Sequence, residues 1–116
     1  MMTLFEHQQA FLKHVPLLLQ KLWDAGFQVT AGEMLRTPEQ QQIYLDTGKA
    51  KTAKSNHIVK CAIDLNIFPQ GSRNFATKAE LQAIGDFWES LDPLNRWGGN
   101  FKSFTDCPHF ERNQFS

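Results

Sequence analysis

Three threonines, each followed three residues later by Glu or Gln, fix where this chain must turn into helix. Thr3-Leu4-Phe5-Glu6, Thr37-Pro38-Glu39-Gln40 and Thr77-Lys78-Ala79-Glu80 each carry a reciprocal capping pair. In such a pair the threonine hydroxyl satisfies one orphan N–H of the first turn, and the Glu or Gln side chain satisfies another. Pro38 falls at a first helical position, where its missing N–H leaves nothing unsatisfied. The spacing predicts a first helix from about Leu4 to Asp24, broken or kinked near Pro16 and ended by Gly26. A second is expected through Gln40–Leu45, stopping near Gly48, and a third carries Leu81, Ile84, Phe87, Trp88 and Leu91 at helical spacing. Strand candidates are Phe27–Thr30, Val59–Ile67 and a short segment at His109–Glu111. Helices and short strands mixed without a βαβ rhythm predict an α+β fold, with helices packed around a small antiparallel sheet.

Nothing along the chain marks a boundary: there is no repeat, low-complexity run or Pro/Gly/Ser-rich linker, so residues 1–116 read as a single domain. Ten Phe and three Trp supply a core, and twelve basic residues balance twelve acidic ones. That neutrality argues against a nucleic-acid binder, which normally carries a basic stripe. The start, MMTLFEHQQAFLKHV, lacks a basic segment followed by an apolar one, so no signal peptide is expected and synthesis in the cytoplasm is. No apolar stretch is long enough for membrane insertion, and a monomer is expected.

The chemistry concentrates in two stretches. In the first, Ser55 to Asn66, residues Cys61, Ile63, Leu65 and Ile67 alternate with Ala62, Asp64 and Asn66. A carboxylate on the second face of an otherwise apolar strand suits a cleft lining better than packing. His57 lies seven residues before Asp64, on the opposite face of an unbroken strand, so the two meet only if a turn or bulge precedes Val59. The second stretch runs from Trp97 to Glu111, where Trp97-Gly98-Gly99 permits a tight turn and Asp106-Cys107-Pro108-His109 sets a carboxylate and an imidazole three residues apart. His57, Asp64 and His109 together give an N/N/O ligand set of the catalytic zinc type, with a fourth position left for water. Asp106 is the candidate general base, and Arg36, just before Thr37-Pro38, is the candidate for stabilising a developing oxyanion. Neither a Ser/His nor a Cys/His pair is placed for covalent catalysis, which leaves direct attack by activated water.

The pattern Ser-x-His-x(6)-Asp, then Trp-Gly-Gly, then Asp-x-x-His-Phe resembles the M15 metallopeptidases, from about Gly32 to Glu111. The block from Trp97 to Glu111 is most similar to their L-alanyl-D-glutamate endopeptidase branch, found in phage endolysins and some bacterial wall enzymes. The resemblance implies the D-Ala-D-Ala carboxypeptidase/Hedgehog-type fold, one zinc ion on His57, Asp64 and His109, and Asp106 as the acidic catalytic residue. It further implies Arg36 on the substrate side, Ser55 hydrogen bonding near the site, a peptidoglycan stem peptide as substrate, and action on the cell wall after release. One position departs: the family's usual glycine three residues after the first histidine is Lys60 here, so that turn must form without glycine.

Blander readings stand beside these. His7 and His14 read as helix-face residues, and Cys61 as a small core residue. A structural zinc site would need a fourth protein ligand, for which Cys107 is the applicant. Trp97 reads either as core or as a wall of the substrate groove, and is carried as a groove residue. A D-Ala–D-Ala carboxypeptidase or dipeptidase, and a wall-binding module with a structural metal, remain as rivals.

Overall fold

The computed structural model describes residues 2–50 and 55–114. Helix α1 spans Leu4–Asp24, and both halves of its capping box form: Thr3 Oγ1 accepts from Glu6 N–H at 3.2 Å while Thr3 N–H reaches Glu6 Oε1. The helix continues through Pro16 rather than breaking there. Pro16 and Leu12, whose carbonyl loses its partner, are both exposed, so water can satisfy that carbonyl. Its buried stripe, Phe11, Val15, Leu18 and Leu22, follows helical spacing.

Strand β1 is Gln28–Ala31, and helix α2 is Pro38–Asp46 with Thr37 Oγ1 accepting from Gln40 N–H. Strand β2 is Ala62–Phe68 and helix α3 is Lys78–Ser90, again with a complete capping box at Thr77 and Glu80. Strand β3, Asn95–Trp97, runs into a single 3₁₀ turn over Gly98–Asn100, and β4 is His109–Arg112. The four strands form one antiparallel sheet in the order β1-β2-β4-β3. The fold is therefore α+β, as the mixture of element signals implied.

Period-two alternation sorts the sheet into two faces. Ile63, Leu65, Ile67 and Phe110 turn toward α1 and α3 and join Leu18, Leu22, Leu81 and Trp88 in one core. Trp88 is its pivot, meeting Phe11 edge-on at 5.8 Å and Phe110 edge-on at 6.1 Å. Full burial of one Leu or Ile here contributes roughly 2 kcal/mol before entropy is counted. The other face carries Asp64, His109 and Glu111. His7 and His14 are not idle on α1: His7 Nδ1 accepts from Arg112 Nε at 3.1 Å, and the His14 ring meets the Asn95 amide at 3.2 Å.

The strand expected from Val59 begins only at Ala62, because 56–60 form the turn that brings His57 back over β2. Lys60 sits in it at φ +60°, the left-handed region that glycine enters without strain. The side chain thus tolerates the geometry instead of diverting the chain. The penalty for a non-glycine residue there is about 1–2 kcal/mol, partly offset by glycine's larger loss of freedom on folding. Lys60→Gly is accordingly expected to stabilise the protein by roughly 0.5–1 kcal/mol, seen as a Tm rise of a few degrees. An unchanged or lower Tm would mean that contacts of the Lys60 side chain outweigh the backbone strain.

Candidate metal centre and catalytic cleft

The turn over 56–60 is built to aim one imidazole. Cys61 N–H donates to Asn56 O at 2.8 Å, and Ser55 Oγ accepts from His57 N–H at 3.2 Å. Arg36 N–H donates to the His57 carbonyl at 3.2 Å, tying the segment after β1 to the turn. The buried His57 ring lies with Nδ1 2.9 Å from the Met34 carbonyl. A carbonyl only accepts, so Nδ1 carries the proton and Nε2 presents a lone pair.

The other two donors are set by strand register. Asp64 on β2 is paired directly opposite His109 on β4. Backbone bonds hold Asp64 from the other side as well, since its N–H donates to Glu33 O at 2.7 Å and its carbonyl accepts from Gly32 N–H at 2.8 Å. His109 Nε2 lies 2.6 Å from Glu111 Oε1, two residues along the same strand face. The carboxylate accepts a hydrogen bond from the Nε2 proton and leaves Nδ1 facing the cleft.

Three electron-pair donors thereby converge. His57 Nε2 is 3.2 Å from Asp64 Oδ1 and 3.1 Å from His109 Nδ1, and His109 Nδ1 is 3.2 Å from Asp64 Oδ1. Ligands on a tetrahedral zinc with bonds of about 2.0 Å sit about 3.3 Å apart, so this near-equilateral triangle fits the ion. Without a cation the three lone pairs repel, and a proton is the substitute. Although burial works against a charge on His109, its hydrogen bonds to Asp64 and Glu111 outweigh that and raise its pKa to about 9. Burial works against the charge on Asp64 too, but its hydrogen bonds to His109 and His57 hold that carboxyl well below the usual range.

Asp106 comes from the turn that follows the 3₁₀ segment. Its N–H donates to Gly98 O at 2.9 Å, and its carbonyl accepts from His109 N–H at 3.1 Å. A Cβ on Gly98 would lie 2.1 Å from the Asp106 carbonyl oxygen and 2.9 Å from the His109 Cβ, so only glycine lets these backbones approach. The half-buried carboxylate shares a cleft of about 390 Å³ with His57 and His109. Burial pushes its pKa up, the Asp64 charge adds to that, and the His109, His57 and Arg36 charges oppose it. It stands outside the triangle of donors.

Arg36 and Ser55 line the same cleft. The Arg36 guanidinium pairs with Glu33, donates to Gln41 Oε1 at 2.8 Å and lies 4.7 Å from the centre of the Tyr44 ring. Ser55 Oγ is 3.5 Å from Arg36 Nη1, so Ser55 bridges the arginine and the His57 turn. Trp97 requires a correction, because it is fully buried in the core and does not wall the groove. Its indole N–H donates to the Cys107 carbonyl at 2.8 Å, and a Cβ on Gly85 of α3 would lie 2.0 Å from its ring. Trp97 braces the Asp106–His109 turn from beneath. Cys107 gives its carbonyl to the Trp97 indole, and the metal-type cluster found among the described residues is His57, Asp64 and His109 without its thiol.

Glu111 is the site residue that sequence reasoning passed over. A signal existed: in a strand, His109 and Glu111 are i and i+2 and share a face.

Three comparisons bear on this geometry. A family profile of the M15_4 peptidases, described as D-alanyl-D-alanine carboxypeptidase, matches residues 48–112. The L-alanyl-D-glutamate peptidase of Listeria phage A118 is 27% identical over 100 residues, covering 76% of this chain and 31% of that protein. The chain thus spans about a third of the length of that relative. The crystal structure of Serratia marcescens L-Ala D-Glu endopeptidase ChiX matches with a TM-score of 0.60 at 24% identity, over 84% of this chain and 79% of that one, a likeness of fold.

Proposed function

The chain belongs to the M15 peptidase family, and from that premise we propose that it is a zinc-dependent endopeptidase cutting the L-alanyl-D-glutamate bond of peptidoglycan stem peptides. The observation that carries this reading is the convergence of three ligand-type donors beside a carboxylate that stays out of their triangle. His57, Asp64 and His109 would hold the ion. Zinc so bound supplies Lewis acidity, polarising an amide carbonyl and bringing the pKa of water down to roughly 7. Asp106, with its raised proton affinity, takes the proton of the attacking water and returns it to the departing amine. Arg36, fixed by Glu33 and Gln41, presents positive charge to the carbonyl oxygen as it becomes an oxyanion. Ser55 keeps the arginine and the His57 turn in register. The role is that of an endolysin-like enzyme acting on the cell wall.

A second reading, removal of the terminal D-alanine, is favoured by the description of the matching family profile. The test is product analysis after incubating zinc-loaded protein with defined stem peptides. A new amino terminus on D-glutamate supports the endopeptidase, whereas free D-alanine transfers the assignment to a carboxypeptidase. Zinc in place with neither product would turn the reading to a wall-binding module. Arg36→Ala is expected to keep the fold and the metal and to lower kcat/KM by about 10²–10³-fold. An unchanged rate on the cleaved substrate would remove Arg36 from the chemistry.

A further inference from the structure

Glu111 is buried, at 4% exposure, in the middle of the sheet, yet it carries a carboxylate that no packing argument explains. Each of its oxygens is committed. Oε1 accepts from His109 Nε2 at 2.6 Å. Oε2 accepts from Asn56 Nδ2 at 2.9 Å, Arg96 Nε at 2.8 Å and Arg96 Nη2 at 2.7 Å. Arg96 pairs opposite Glu111 across the β3–β4 ladder, and its guanidinium lies 5.2 Å from the Phe101 ring, which in turn lies 5.7 Å from the His109 ring. Asn56 is the residue before His57 and is itself buried, so the carboxylate ties the turn bearing one ligand to the strand bearing another.

We infer that Glu111 is a positioning residue for the metal centre: held by Arg96 and Asn56, it fixes His109 with Nε2 protonated and Nδ1 turned to the ion. The inference rests on the metal reading proposed above. A neutral imidazole has one N–H and one lone pair, and only an acceptor at Nε2 commits the lone pair to Nδ1. A carboxylate is the stronger choice than a carbonyl because it also raises the basicity of the ligand nitrogen. Left unanchored, Glu111 would have to be desolvated without compensation, and Arg96 and Asn56 supply that compensation on the oxygen His109 does not use. Outer-shell partners of this kind typically alter metal affinity by about 10–100-fold.

The experiment uses the whole chain with zinc in competition against a calibrated chelator, and cobalt substitution as a spectroscopic probe. Glu111→Gln keeps the size of the side chain but loses the charge that Arg96 and Asn56 were built around. It is expected to weaken zinc binding about 10–100-fold in folded protein and to shift the cobalt d–d bands, while circular dichroism is retained. Arg96→Met, at a half-exposed position, spares the buried carboxylate and should weaken zinc binding several-fold in the same direction. Folded Glu111→Gln and Arg96→Met proteins that both bind zinc within twofold of wild type, with unchanged cobalt bands, would overturn the inference. If Glu111→Gln does not fold, Arg96→Met decides by the same criterion. Wild-type protein that binds no zinc would instead overturn the metal reading on which the inference stands.

Discussion

Asp106→Ala should retain one zinc per chain and lose turnover, with kcat falling about 10²–10⁴-fold. That is about 3–5 kcal/mol of transition-state stabilisation. The separation of the two readouts follows from the geometry. Asp106 is not among the three converging donors, and its backbone, not its side chain, anchors the turn to Gly98 and His109. Truncation at Cβ therefore leaves the hydrogen bonds that set His109 in place. KM should move little, because a proton acceptor acts on the transition state more than on bound peptide. Asp106→Asn should fail almost as badly, since an amide fills the same space but cannot take the proton. Metal content by mass spectrometry or absorption, with rates on a cleaved stem peptide, checks both arms. An Asp106→Ala protein that loses its zinc would place the carboxylate in the coordination sphere, and one that stays active would remove it from proton transfer.

His57→Ala and His109→Ala should each lose metal and activity together. Two donors remain in either variant, which is too few for a tight catalytic site. The metal also contributes to stability by binding only the folded state, about 2.7 kcal/mol at a free concentration one hundred times Kd. Zinc should therefore raise the Tm of wild type by several degrees and leave both variants unmoved. The metal-free protein adds a pH signature. A histidine whose folded pKa is raised stabilises the fold below its unfolded value near 6.5 and loses that contribution as the pH climbs through about 9. Metal-free wild type should therefore lose stability across that window. Zinc, which takes the place of the His109 proton, should abolish the loss, and its binding should release a proton at neutral pH. A flat stability profile in metal-free protein would show that the proton on His109 is not what quiets the three donors.

What could be read from the sequence and what could not divides along local and non-local physics. Capping is local, so Thr3 and Thr77 with their glutamates announced where α1 and α3 begin. The alternation through Ile63, Leu65 and Ile67 was equally legible, and so was the odd position of Asp64 within it. The turn before β2 was required by the seven-residue offset between His57 and Asp64, and it forms at 56–60 with Lys60 in the left-handed region. Strand β3 was not foreseen: three residues between a proline turn and two glycines carry no period of their own and become a strand by pairing with β4. Trp97 read equally as core or as groove wall, and its full burial decides for the core. The two glycines serve close approach, of Gly98 to the Asp106 backbone and of Gly99 to the indole. Glu111 escaped because its significance lies in partners 15 and 55 residues away, Arg96 and Asn56.

The spatial order of the strands has a consequence for the order of events during synthesis. The last strand along the chain, β4, occupies an interior place in the sheet, between β2 and β3. Until it inserts, β3 has no neighbour to pair with in this sheet, and Asp64 faces empty space where His109 belongs. A ribosome delivering the chain from its N-terminus thus produces α1, β1, α2, β2 and α3 with only two of the three donors present. A nascent chain is in this sense a disarmed one. The third donor, His109, arrives only with this four-residue strand, which is the element that completes the centre.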